Sequence, residues 1–154
     1  MNWLLDLLTN KYLLVSLSSW FVAQVLKTIL YALETKKVDW TRMVGDGGMP
    51  SGHSATVTSL CVFCGLKFGF GSVQFALAAI LAIIVCHDAM GVRLETGKQA
   101  AIINELTKTI ELLSSKEWTE EKLKEFVGHT PIQVLAGILL GIANALVMFF
   151  FVLK

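Results

Sequence analysis

The stretch Val73-Gln-Phe-Ala-Leu-Ala-Ala-Ile-Leu-Ala-Ile-Ile-Val-Cys-His-Asp-Ala-Met-Gly-Val92 carries no polar side chain between Phe75 and Cys86. It does not alternate as a half-buried strand would, and it is long enough, at about 20 residues, to carry one helix across a hydrocarbon core of about 30 Å. Three further apolar runs lie on either side of it, at about 12–33, 54–70 and 131–153. The first contains one charge, Lys27. The second is the most polar, with Thr56, Thr58 and Ser59, hydroxyls that suit a helix facing other helices more than lipid. The whole chain has 154 residues, of which 55% are hydrophobic and 16% charged, with a mean hydropathy of +0.65. A soluble domain usually carries about a quarter charged residues. The expected fold is all-α: one domain over residues 1–154, a polytopic membrane bundle of about four transmembrane helices.

The connections are unequal. Residues 34–53 form a polar, glycine-rich loop, and 69–72 form a tight Gly-Phe-Gly-Ser turn. Residues 93–130 form a long polar insertion, in which Ile102, Ile103, Leu106, Ile110 and Leu113 recur at helical spacing. Ser114-Ser115 breaks that pattern, and Thr119 can cap a second short helix carrying Leu123 and Phe126, so the insertion reads as an amphipathic helical hairpin outside the bilayer. The N-terminus lacks the basic segment and small-residue cleavage site of a secretory signal; it reads as a short interfacial helix with Trp3 at headgroup depth. Cys61, Cys64 and Cys86 all lie in apolar runs and read as small core residues, despite the CxxC spacing of the first two. A net charge of +1 gives nucleic acid no electrostatic footprint.

With four crossings, the 34–53 loop, the insertion and the ends of spans one and three share one membrane face. Met49-Pro-Ser-Gly-His-Ser-Ala55 opens span two there, with Ser51 as N-cap and His53 in the first turn. Gly128-His-Thr-Pro-Ile132 opens span four there, with Thr130 as N-cap and Pro131 at the favoured first helical position. Two helix N-termini aimed at one face favour a phosphate-like anion. Arg42, Arg93 and Lys27 extend this into an oxyanion-binding bowl holding His53 and His129. Each element also has an ordinary reading. A histidine at a helix start is commonly structural, and a lysine inside a span commonly snorkels to the interface. His87-Asp88 could be a structural pair, and no His/Cys spacing supports a metal site.

Pro50-Ser-Gly-His53 resembles the second signature motif of the type 2 phosphatidic acid phosphatase superfamily, which includes the vanadium-dependent haloperoxidases, and His129-Thr-Pro-Ile-Gln-Val-Leu-Ala-Gly137 resembles the end of its third. The ordered set of Ala23-Gln24 with Lys27, Gly47 to Ala55, Asp88-Ala-Met-Gly-Val-Arg93 and Gly128 to Pro131 is similar, more closely, to the divergent membrane branch of that superfamily. The resemblance implies a phosphatase that works through a phosphohistidine, with no metal or other cofactor. It implies His129 as nucleophile, His53 as the acid that protonates the leaving oxygen, and Lys27, Arg42, Arg93 and the amides of Ser51 and Gly52 as phosphate ligands. The superfamily's Arg-Pro is here Arg42-Met43, Arg93 lies 36 residues before His129, and Gln133 stands where an aspartate normally orients the nucleophile. Asp88 is the candidate substitute orienter. The implied substrate is a phosphorylated lipid or isoprenoid, as monoester or diphosphate. The alternatives are a non-catalytic member that binds such a lipid or serves in an assembly, and a small anion or lipid carrier.

Gly137 and Gly141, with Ala136, Ala143 and Ala145, form a small-residue stripe on span four that serves either internal packing or a homodimer. The site-bearing face carries Lys36, Lys37, Arg42, Arg93, Lys98, Lys108, Lys116, Lys122 and Lys124, against Lys11, Lys67 and Lys154 on the other. Setting aside Arg42 and Arg93 as site residues leaves the same bias, and positive loops stay on the cytoplasmic side. The expectation is a bacterial plasma-membrane protein whose site opens to the cytoplasm. A cysteine placed at Lys116, after removal of the three native ones, should stay unlabelled by a membrane-impermeant thiol reagent in intact cells and react once the cells are opened; labelling of intact cells would invert the topology.

Overall fold

The computed structural model describes residues 2–43, 45, 47–114, 123 and 128–152, apart from the side chains of Arg42, Glu111, Leu112 and Ser114. Every regular element among the described residues is helical. A short helix α1, Trp3–Leu8, precedes α2, Lys11–Thr35. A 3₁₀ turn, Trp40–Met43, leads to α3, Gly52–Phe68; then come α4, Val73–Met90, α5, Val92–Ser114, and α6, Pro131–Val147, prolonged by a π-helical turn at Met148–Val152. Local chemistry sets the starts. Asn10 Oδ1 accepts from the N–H groups of Tyr12 (3.0 Å) and Leu13 (3.3 Å). Ser51 Oγ does the same for Ser54, and Ser72 Oγ for Phe75, each satisfying a first-turn donor that has no partner within its helix. Gly69, at φ +87°, supplies the left-handed residue that turns α3 into α4.

Among the described residues, three helices are long and apolar enough to cross a membrane: Lys11–Thr35, the stretch Val73–Ile110 and Pro131–Val152. The remaining expected crossing is α3, which has 17 residues and is about 25 Å long. It is the most enclosed of the set, packed against α2, α4 and α6 together. A helix ringed by others need not be apolar all round, which is why α3 reads as the weakest span. Thr58 and Ser59 are buried against its neighbours, whereas Thr56 turns back to its own Gly52 carbonyl at 2.7 Å. The outer faces are apolar and bare, as lipid contact requires: Leu17, Phe21, Leu77, Ile83 and Leu139 are all more than half exposed.

α3 and α6 run parallel, and their closest approach is made by the two glycines. A Cβ on Gly141 would lie 2.6 Å from Ala55 O and 2.9 Å from Thr58 Cβ, and one on Gly137 would meet Ser51 O and Ser54 Cβ. The two glycines of the span-four stripe are therefore covered by α3, whereas Ala143 is exposed. α2 runs antiparallel to α3, stitched by Ser19 Oγ donating to Ala55 O at 3.0 Å. Asn144 Nδ2 reaches from α6 to Val15 O and Ser18 Oγ, both at 3.1 Å. Such bonds between membrane helices contribute about 0.6 kcal/mol each, so their number and the close glycine contact matter more than any single one. At the far end Val15, Phe63 and Ala145 form a small core with Tyr12 and Phe149 packed on it. Cys64 and Cys86 are buried, Cys61 is half-buried, and all three are free thiols.

Only Gly91 separates α4 from α5. α5 shows the expected first arm of the insertion, with Ile102, Ile103, Leu106, Ile110 and Leu113 exposed along it. The second arm, at 119–126, lies outside the described residues except for Leu123. That residue is bracketed by Asn104, whose Oδ1 accepts from Leu123 N–H (3.1 Å) and whose Nδ2 donates to Leu123 O (2.9 Å), so Leu123 lies against α5.

Gly141→Leu should destabilise the protein by at least about 1–3 kcal/mol, because its new atoms meet backbone that cannot move aside. Ala143→Leu, on the exposed side of the same helix, should be near neutral. Thermal unfolding in detergent distinguishes the two, and equal melting temperatures would show the contact to be loose.

Candidate active site

The glycine contact brings the starts of α3 and α6 side by side. Ser51 N–H donates to Gln133 O at 3.0 Å, tying one N-terminus to the other, and its Oγ caps α3. Ser51 thus uses both its amide and its hydroxyl on the scaffold. Gly52 lines a cavity of about 70 Å³ together with Trp20, Gln24, Lys27, Gly45, His53 and His129. By the same measure a single water needs roughly 10–15 Å³, so this space admits several waters or one polyatomic ion.

His129 is almost fully buried, at 2% exposure, and its backbone N–H donates to Ala89 O at 3.1 Å, anchoring it to the end of α4. Its ring Nδ1 lies 3.3 Å from Gln133 Oε1. The same oxygen accepts from the backbone N–H of Thr130 at 3.1 Å, one half of a capping box at the start of α6. A backbone N–H can only donate, so the group facing it must be the amide oxygen, not the nitrogen. Nδ1 faces that oxygen too and so carries the ring proton. The neutral imidazole is left with its lone pair on Nε2. Burial pushes the His129 imidazole below the ordinary histidine range. The Gln133 contact and the Gly48 backbone act the other way, while the positive charges of Lys27 and of a protonated His53 push it further down.

His53 stands in the first turn of α3, half-buried, with its ring centroid 6.1 Å from that of His129 and the planes at 66°. Lys27 is 4% exposed and reaches the loop, where Nζ donates to Gly45 O at 3.2 Å. Gly48, at φ +81°, lies on the lysine stem: a Cβ there would come within 3.2 Å of Lys27 Cγ, so loop and stem are fitted by the absence of a side chain. Trp20, Gln24 and Lys27 are spaced i, i+4, i+7 on α2 and present one face of that helix to the cavity.

Of the residues singled out in the sequence, the fold gathers Lys27, Gly52, His53 and His129 around this cavity. Arg93 and Asp88 lie apart from its lining and pair with each other, Nε to Oδ2 at 2.8 Å, both about two-fifths exposed. Asp88 therefore engages an arginine where an orienting role for His129 was considered, and Gln133 makes that contact. Arg42 is on the 3₁₀ turn, and its side chain is outside the described ones. Three lining residues have no role assigned from sequence: Trp20, Gln24 and Gly45. The signal available was Gln24 itself, an amide inside an apolar span at helical spacing from Lys27.

Residues 8–144 match the Divergent PAP2 family. The chain is 41% identical, over 157 aligned residues, to the uncharacterized membrane protein YuiD of Bacillus subtilis (strain 168), covering 96% of this chain and 99% of that protein. No solved structure matches at a significant level. An all-helical membrane protein whose paired histidines open two parallel helices, the chain belongs to the divergent PAP2 family.

Proposed function

We propose that this cavity hydrolyses a lipid-linked phosphate monoester or diphosphate through a phosphohistidine on His129. The observation that carries the reading is the double use of Gln133 Oε1, which leaves Nε2 of a buried, neutral imidazole as a nucleophile beside a second histidine and a buried lysine. In the first step Nε2 attacks phosphorus, the bond from phosphorus to the ester oxygen breaks, and His53 donates its proton to that oxygen. In the second, water attacks the phosphohistidine, its proton passes to His53, and inorganic phosphate leaves with His129 restored. Lys27 and the N-terminal amides of α3 offset the charge on the equatorial oxygens. Trp20 lines the cavity while remaining 38% exposed on the outer side of α2, which gives an acyl or prenyl tail a path to lipid. The site is read as facing the cytoplasm of a bacterial plasma membrane, on the charge bias of the loops.

A second reading, binding of a phosphorylated lipid without turnover, is favoured by Gln133 itself, since a neutral amide stabilises the imidazolium less than a carboxylate would. The purified protein, offered a panel of lipid phosphates, separates the two. Wild type should release phosphate, His129→Ala should fall to background, and His53→Ala should lose about 10²–10⁴-fold on substrates with poor leaving groups. Binding with no release above the His129→Ala background on any substrate would leave the second reading standing.

The pH profile carries a further test. The reactive imidazole is the neutral one, so depression of its pKa extends activity toward acid, and the acidic limb of kcat/KM should fall below the ordinary histidine range. Gln133→Glu keeps an acceptor for Thr130 N–H and Nδ1–H but adds a negative charge, which favours the imidazolium. Its acidic limb should move to higher pH; an unchanged limb would mean that it reports another group.

A further inference from the structure

Gln24 is 4% exposed and lines the cavity, and its amide oxygen has no hydrogen-bond partner among the described residues. A buried carbonyl without a donor forfeits its hydration with nothing in return, so such a group in a native fold calls for a specific explanation. Its neighbours along α2 do not supply one: Trp20 stands beside Gly52, and Lys27 Nζ reaches Gly45 O. A phosphate ester dianion does not supply one either, because its oxygens only accept and would repel a carbonyl. Resting on the hydrolase reading above, two species bring an O–H group to the phosphorus during turnover, and the inorganic phosphate then released carries the hydroxyl of the second. The two species are the departing alcohol of the first step and the water of the second, and in an in-line displacement both occupy the same position, opposite His129 Nε2.

We propose that Gln24 is a positioning residue for the hydrolytic water. One proton of the water is held by Gln24 Oε1 and the other is taken by His53, so the oxygen lone pair faces phosphorus. The oxygen–phosphorus bond forms as the phosphorus–Nε2 bond breaks, and the electron pair returns to His129. The amide carries no charge and exchanges no proton. In the first step the same oxygen receives the hydroxyl of the leaving alcohol once His53 has protonated it.

The test needs no knowledge of the lipid. Inorganic phosphate labelled with ¹⁸O loses its label to water whenever it phosphorylates His129 and is released again, and this exchange uses water alone as the donor. Gln24→Met and Gln24→Leu remove the acceptor while keeping a helix-compatible apolar side chain. Exchange by the full-length protein in detergent should fall by about tenfold to a hundredfold in both, with the half-saturating phosphate concentration unchanged. Melting temperatures should hold or rise, because an unpaired polar atom has been removed. Exchange at the wild-type rate in either variant overturns the inference alone, as does a loss explained by weaker phosphate binding, which would make the amide a phosphate ligand. A wild-type protein that shows no exchange overturns the hydrolase reading and this inference with it.

Discussion

The architecture depends on how closely α3 and α6 can approach. Gly137 and Gly141 have no side chain to separate them from Ser51, Ala55 and Thr58, so the two helices meet backbone to side chain along two turns. The bond from Ser51 N–H to Gln133 O then aligns the two N-termini. Everything at the cavity inherits that alignment. His53 rides on the first turn of one helix and His129 immediately precedes the other, so the distance between the rings is a consequence of helix packing, with no flexible loop between it and the scaffold. In a bilayer, where apolar burial gives helices little reason to prefer one another over lipid, close packing of small residues is the available way to hold such a geometry.

The same economy appears around His129. One amide oxygen serves a helix cap and a histidine tautomer at once. A carboxylate in that place would hold the ring equally well but would draw it toward the charged form. With a neutral partner, burial prevails and the imidazole's pKa lies below the ordinary histidine range. Lys27, itself buried, adds to this by placing a positive charge nearby. The cavity thus sets a buried lysine beside an imidazole whose charged form is disfavoured by that lysine and by the dry surroundings.

Much of this was legible in the sequence because membrane helices declare themselves by length and because caps are local. The apolar runs located α2, α4 and α6, while Ser51, Thr130 and Pro131 marked where α3 and α6 begin. The hydroxyls in span two correctly indicated a helix surrounded by others. What was not legible depended on rotation and on side-chain reach. Ser51 looked like a ligand from its place at a helix start, but whether its N–H is free depends on where Gln133 O lies, and that is fixed only by the contact at Gly137. Asp88 and Arg93 share the correct face yet turn to each other, which no spacing rule distinguishes from turning inward. Gln24 was visible as an oddity, and its lack of a partner emerges only when all its neighbours are in place.

The insertion between α4 and α6 leaves and re-enters the fold at nearly the same point. His129 N–H is bonded to Ala89 O, and Gly128 lies directly against the backbone of Arg93 and Leu94, so close that any Cβ there would collide with it. The intervening chain is therefore a closed excursion whose two ends are pinned together beside His129. Because closing a loop grows only slowly more costly with length, segments of quite different size can be hung from this junction without altering its geometry. The junction thus leaves room to vary what the protein meets in the aqueous phase without moving His129, and its closeness is what demands glycine at position 128.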